Sequence, residues 1–297
     1  MLQNFLPEIQ EGNIKSLARC ISLIENQAPG SVELLKKLPF SNTPVIGITG
    51  PPGVGKSTLV NVLIGAFLNQ QKKIAVLCID PSSPFHHGAF LGDRIRMNHW
   101  ADNPSVYIRS LSSRGSLGGL HPRIFEITDL LKSAPYDYIL IETVGVGQSE
   151  LEIASIADFT VMILMAGFGD EIQALKSGVL EVADLFVVNK ADNPDTKLFI
   201  KNLQSALHLG SKQIDIIETI ATEGVGVDRL LQAIENRTIS SDQKQYLNLA
   251  EKAYRLILAD RMSEIDKTEL FDKIKKEARS ENFNMYGFVF DYLSKRK

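Results

Sequence analysis

The sequence predicts an α/β fold built on a mostly parallel sheet of about seven strands, covered by helices on both faces. Two observations carry this. Between Val45 and about Ile217, short β-branched or apolar runs alternate with helix-length segments, the pattern of strands buried on both faces. In addition, a glycine-rich turn, Gly50-Pro-Pro-Gly-Val-Gly55, sits directly between such a run and a helical pattern.

The strands expected are Val45-Thr49, Lys73-Ile79, Val106-Ser110, Tyr138-Glu142, Thr160-Met165, Leu185-Asn189 and Asp215-Thr219. A helical preface precedes them. Ile14, Leu17, Ala18, Ile21 and Ile24 recur at helical spacing, Ala28-Pro-Gly breaks the pattern, and a shorter piece follows around Leu34, Leu35 and Leu38. After Gly224-Val-Gly-Val one more helix is expected, from Asp228 to about Glu235. The polar break Thr238-Ile-Ser-Ser241 then opens a charged region with Leu249, Ala253, Leu256 and Ile257 on one helical face and Leu270, Phe271, Ile274 and Ala278 on another. The division expected is a helical extension over 1–40, a central domain over 41–237 and a helical region over 238–297. That last region either packs on its own domain or serves as a dimerisation arm, and amphipathicity does not choose between them.

Composition narrows the function classes. Of 297 residues, 44% are hydrophobic and 23% charged, ordinary values for a soluble globular chain, and no apolar run approaches the roughly 18 residues of a membrane span. The start, Met1-Leu-Gln-Asn-Phe-Leu-Pro-Glu, lacks the basic and apolar regions of a signal or transit peptide, so a cytoplasmic location is expected. A net charge of -3 argues against a large nucleic-acid surface. Cys20 and Cys78 lack C-x-x-C spacing and read as buried small hydrophobes.

The turn Gly50-x-x-x-x-Gly55-Lys56-Ser57 follows Val45-Ile-Gly-Ile-Thr and opens Thr58-Leu-Val-Asn-Val-Leu-Ile, the context that makes it a P-loop rather than an ordinary Gly/Pro turn. Its backbone amides, from Gly50, Gly53, Val54 and Gly55 into Lys56, Ser57 and Thr58, would cradle phosphates at a helix N-terminus. Lys56 would reach the β and γ oxygens, and Ser57 would ligate Mg²⁺.

Asn189-Lys190-Ala191-Asp192 ends a strand, where a doubly wound sheet presents its ligand loops. Asp192 can accept both the N1-H and the 2-amino group of guanine, whereas adenine offers a bare acceptor at N1 and no 2-amino group. The ligand expected is therefore GTP or GDP with Mg²⁺. Asn189 would tie this loop to the P-loop, the stem of Lys190 would lie along the base, and Ala221 completes the expected nucleotide contacts.

Tyr136-Asp-Tyr-Ile-Leu-Ile-Glu142-Thr-Val-Gly145 reads as a buried strand ending in a metal-holding carboxylate, with Gly145 able to offer its N-H to a γ-phosphate. Asp80 and Asp93 are further candidates for the metal or its water, with helix capping or surface ion pairing as the alternative for each. The residue after the switch glycine is Val146, which cannot orient a water as a Gln there can, so slow intrinsic hydrolysis is expected. Gln148 is a candidate substitute or merely a helix start. His86-His87 is too isolated to read as a metal site.

These motifs, with Asp80-Pro-Ser-Ser, Leu91-Gly-Asp-Arg, Arg114-Gly-Ser-Leu-Gly-Gly119, Glu142-Thr-Val-Gly-Val-Gly-Gln-Ser-Glu150 and Gly169-Asp-Glu-Ile-Gln173 through Lys176, resemble the MeaB/ArgK family of SIMIBI-class P-loop GTPases from about residue 10 to 237. The resemblance implies a chaperone of adenosylcobalamin-dependent methylmalonyl-CoA mutase or a related acyl-CoA mutase, working as a homodimer through its C-terminal helices. It also implies a third switch over Gly167 to Gly178, with Asp170, Glu171 and Lys176 answering to the partner. The chain departs from the family at Phe85-His-His-Gly88 and at Ala166-Gly167, where a Ser-Gly-Gly run and a Pro-Gly pair are usual. The other readings are a nickel or cobalt metallochaperone GTPase, a kinase linked to lysine/arginine/ornithine transport, and a GTP-dependent scaffold without turnover.

Overall fold

The structure is a computed structural model that describes residues 5–80, 97–114, 116, 119–145, 149–167, 182–208, 214–237, 242–263, 265–278 and 283–294. The chain divides into two compact units, Met1–Asn248 and Leu249–Lys297.

In the first unit, seven strands form one sheet: β1 Val45–Thr49, β2 Ile74–Asp80, β3 Val106–Ser112, β4 Tyr138–Glu142, β5 Phe159–Leu164, β6 Leu185–Asn189 and β7 Asp215–Thr219. Every neighbouring pair is parallel, in the order β3-β2-β4-β1-β5-β6-β7. The strand ends move by one or two residues from the sequence expectation because the ladder, not local composition, sets them. Asp80 pairs in register with Ser112, so β2 and β3 both run past Ile79 and Ser110.

Alternate residues of the strands serve two cores, which is why runs such as Val45-Ile-Gly-Ile-Thr are buried throughout. On one face Ile46 and Ile48 pack with α4 (Lys56–Asn69), whose Leu59, Val60, Leu63, Ile64 and Phe67 are buried. Truncating Phe67 to Ala would cost about 3–5 kcal/mol. On the other face Val45, Leu77 and Ile141 pack with the preface. The preface comprises α1 (Phe5–Gln10), which the helical spacing missed, α2 (Ile14–Glu25) and α3 (Ser31–Leu35). Asn13 caps α2, its Oδ1 accepting from Ser16 N at 3.1 Å, and Leu17, Cys20, Ile21 and Ile24 form the buried stripe. That stripe shares a core with α5 (Ile124–Lys132), so the preface is part of the sheet's own packing.

A third cluster places Phe186 and Val188 of β6 with Phe199 and Leu203 of α6 (Thr196–His208). Ile234 and Leu230 of α7 (Val227–Arg237) join the α4 side. Cys20 and Cys78 are both buried, and no disulfide joins them. The second unit consists of the helical chain from Leu249 onward: the remainder of Asp242–Ser263, then Lys267–Glu277 and Met285–Ser294. Among the described residues no helix is long and apolar enough to cross a membrane.

Candidate active site

The carboxyl ends of β2, β4, β1 and β6 bring the candidate residues to one edge of the sheet, on both sides of β1, where the strand order reverses. The loop between β1 and α4 turns with φ of 140°, 81° and 96° at Gly50, Gly53 and Gly55. At Gly55 the left-handed backbone and the space both exclude a side chain. A Cβ there would lie 2.4 Å from Asn189 Nδ2.

Asn189 is buried at the end of β6 and uses both ends of its amide. Nδ2 donates to Val54 O at 2.8 Å, while Oδ1 accepts from Thr219 Oγ1 at 3.0 Å and from Ala221 N at 3.1 Å. One side chain thus joins the loop after β1, the end of β7 and the turn after β7. Lys190 Nζ adds a bond to Gly53 O at 3.0 Å, and Lys190 itself is a non-glycine residue with φ of 57°. Asp192 stands exposed two residues further on.

Lys56 opens α4 and is buried, its Nζ donating to Gly50 O at 2.9 Å and Pro51 O at 3.0 Å. The adjacent Ser57 donates from Oγ to Glu142 Oε1 at 2.6 Å. Glu142 is 3% exposed at the end of β4, opposite Ile48 on one side and Cys78 on the other. Asp80 ends β2 two residues past Cys78, is equally buried, and accepts from Ser113 N at its backbone oxygen. Thr58 lies in the first turn of α4. Gly145 packs against the loop so tightly that a Cβ would lie 2.3 Å from Gly50 O.

The arrangement collects a helix N-terminus, a buried ammonium, a hydroxyl-carboxylate pair and a second carboxylate beside one turn of glycines. Such a set suits a polyphosphate and the cation that accompanies it. Asp93, Val146, Gln148, His86, His87, Asp170, Glu171 and Lys176 lie outside the described residues.

Three threonines at this edge carried no sequence assignment. Thr219 anchors Asn189, and Thr49 shares a hydroxyl contact of 2.8 Å with Thr143. The available signal was a hydroxyl at the end of an apolar strand, where burial obliges it to find a partner.

The family model described as Methylmalonyl Co-A mutase-associated GTPase MeaB matches residues 17–278. The chain belongs to the MeaB family. The match continues to residue 278, well past the stretch over which motifs carry the resemblance. A Pyrococcus horikoshii protein named as a GTPase is 39% identical over 264 residues, 84% of this chain and 81% of that one. GTPase ArgK of Escherichia coli is 37% identical over 247 residues, 78% and 75% of the two chains. The crystal structure of a LAO/AO transport system kinase is similar with a TM-score of 0.70 at 25% identity, covering 98% of this chain and 95% of that one. This MeaB-family chain is accordingly a guanine-nucleotide-binding P-loop GTPase.

Proposed function

We propose that this MeaB-family GTPase is a cytoplasmic chaperone of an adenosylcobalamin-dependent acyl-CoA mutase, methylmalonyl-CoA mutase first among them. GTP binding and hydrolysis would gate cofactor loading and protect the mutase from inactivation. The observation that carries this reading is the family match over residues 17–278.

The site residues take the following roles. The turn from Gly50 to Thr58 holds the phosphates, Lys56 balances their charge, and Asn189, Lys190, Asp192 and Ala221 hold the base. The donor set at Ser57, Glu142 and Asp80 fits Mg²⁺, which prefers hard oxygen ligands, and the 2.6 Å contact between Ser57 Oγ and Glu142 Oε1 supports that assignment. Bound there, Mg²⁺ would neutralise charge on the β and γ oxygens. Asp93 and Gln148 keep their proposed parts in metal holding and water positioning. With Val146 in place of a water-orienting Gln, fast turnover would depend on the partner protein.

The C-terminal unit supports self-association: Ile257 is 62% exposed, Phe271 62%, Tyr286 78% and Phe290 70%, more apolar surface than a monomeric helical segment usually shows. The reading therefore includes a homodimer joined through these helices, and a sedimentation profile of monomer alone at tens of micromolar would count against it.

The direct test incubates the tagged full-length protein with purified methylmalonyl-CoA mutase in GDP and in a non-hydrolysable GTP analogue. A nucleotide-dependent complex that alters adenosylcobalamin transfer is expected. Absence of a complex in both states would overturn the reading. The similarity to a LAO/AO transport system kinase keeps one second reading in play, transfer of the γ-phosphate to a transport protein. Stoichiometric label transfer from GTP to such a protein would establish it.

A further inference from the structure

β1 and β4 lie side by side, with Ile48 opposite Glu142, and their last backbone contact is Thr143 N to Ile48 O at 3.0 Å. Beyond it the two chains part. β1 turns into the phosphate loop at Gly50, and β4 continues toward Gly145. At the fork Thr49 and Thr143 face each other with Oγ1 atoms 2.8 Å apart, 0% and 1% exposed.

Packing alone does not call for two hydroxyls here, since valine would bring nearly the same volume and no desolvated oxygen. What the bond supplies is direction. Thr143 stands two residues before Gly145, whose backbone has no room to spare: a Cβ would lie 2.3 Å from Gly50 O and 2.4 Å from Lys56 Nζ. Any rotation of the chain at Thr143 is therefore felt at Gly145, as a collision with the loop or as a gap.

We propose that Thr49 and Thr143 are positioning residues for GTP hydrolysis. Their hydroxyl bond sets the direction in which the Thr143-to-Gly145 segment leaves the sheet, and so the reach of the Gly145 N-H toward the terminal phosphate. The inference rests on the reading of this loop as the nucleotide site. Because GDP has no terminal phosphate, the pair acts on the triphosphate state and leaves diphosphate binding alone.

The test uses the full-length protein and the variants Thr143→Val, Thr49→Val, Thr143→Ser and the double Thr49→Val/Thr143→Val. Affinities for fluorescent GDP and a fluorescent non-hydrolysable GTP analogue are measured beside single-turnover hydrolysis. Thr143→Val is expected to lower the ratio of analogue to GDP affinity about tenfold and to slow hydrolysis comparably, because the bond that directs the fork is gone, while the stranded hydroxyl of Thr49 lowers stability. Thr143→Ser keeps the hydroxyl and restores both. The double variant strands no hydroxyl, so it recovers thermal stability yet keeps the lowered ratio; it also serves if a single variant fails to fold. An unchanged ratio in folded Thr143→Val, or a ratio regained by the double variant, overturns the inference while leaving the site reading intact. A parent protein that binds neither nucleotide, or binding indifferent to Lys56→Ala, would overturn both.

Discussion

Ser57 donates its hydroxyl to Glu142 across 2.6 Å, joining the first turn of α4 to the carboxyl end of β4 over 85 residues of sequence. A buried carboxylate at the end of an apolar strand is costly unless hydrogen bonds, a counter-charge or a metal ion offset its lost hydration. With Glu142→Gln, which keeps the shape and removes the charge, single-turnover GTP hydrolysis should fall about a hundredfold or more. Stability should hold within about 1 kcal/mol, because the amide oxygen can still accept from Ser57 Oγ and the substituted side chain has no charge of its own to desolvate. Retained hydrolysis in Mg²⁺ would remove Glu142 from the mechanism.

Gly145 and Gly53 share a φ of 81° but differ in their surroundings. A Cβ at Gly53 meets nothing within 4 Å, whereas one at Gly145 meets Gly50 O at 2.3 Å. Gly53→Ala should therefore show backbone strain alone, about 1 kcal/mol in chemical denaturation, and Gly145→Ala a loss larger by about 1–2 kcal/mol. Equal losses would show that the segment at Gly145 yields freely.

Asp192→Asn exchanges two acceptors for one acceptor and one donor. Affinity for GTP should drop about a hundredfold or more, while a xanthine nucleotide, which carries a carbonyl where guanine carries its amino group, should gain affinity. Titration with fluorescent GDP and XDP reads both changes. GDP affinity left intact would mean that another residue reads the base.

His121 is 1% exposed at the entry to α5, its Nδ1 accepting from Arg123 N at 3.0 Å. Burial, reinforced by the positive charges of Arg114, Arg123 and Arg109, pushes its pKa down to about 4 from an ordinary 6.5. The unfolded chain then binds the extra proton between those values and the folded chain does not, so stability falls as pH drops from 6.5 toward 4. The loss should reach about 2–3 kcal/mol. His121→Gln should flatten this slope in urea unfolding at pH 7.5, 6 and 5, and an undiminished slope would assign the acid sensitivity elsewhere.

Much of the site was legible from residue order. Gly50 to Ser57 and Asn189 to Asp192 announce themselves because each loop's chemistry is local: glycines, a lysine and a hydroxyl within eight residues, or an amide and a carboxylate three apart. The central strands were legible for a related reason. A strand buried on both faces is apolar along most of its length, and Val45, Tyr138 and Leu185 each begin such a run. Helix α1 was not, since Phe5–Gln10 is too short to display a period.

The sequence alone determined a phosphate loop on a parallel sheet and proposed Asn189 to Asp192 as the loop that reads guanine. Tertiary structure decided how those loops are held: Asn189 bonded to Val54, Thr219 and Ala221, Glu142 to Ser57, Thr49 to Thr143, and Arg109 and Arg114 on the Glu25 end of α2. Each of these pairs is separated by about thirty residues or more, so no local pattern can contain it. Strand order and register bring the partners together, and burial then makes the bonds of Asn189, of Glu142 with Ser57 and of Thr49 with Thr143 obligatory.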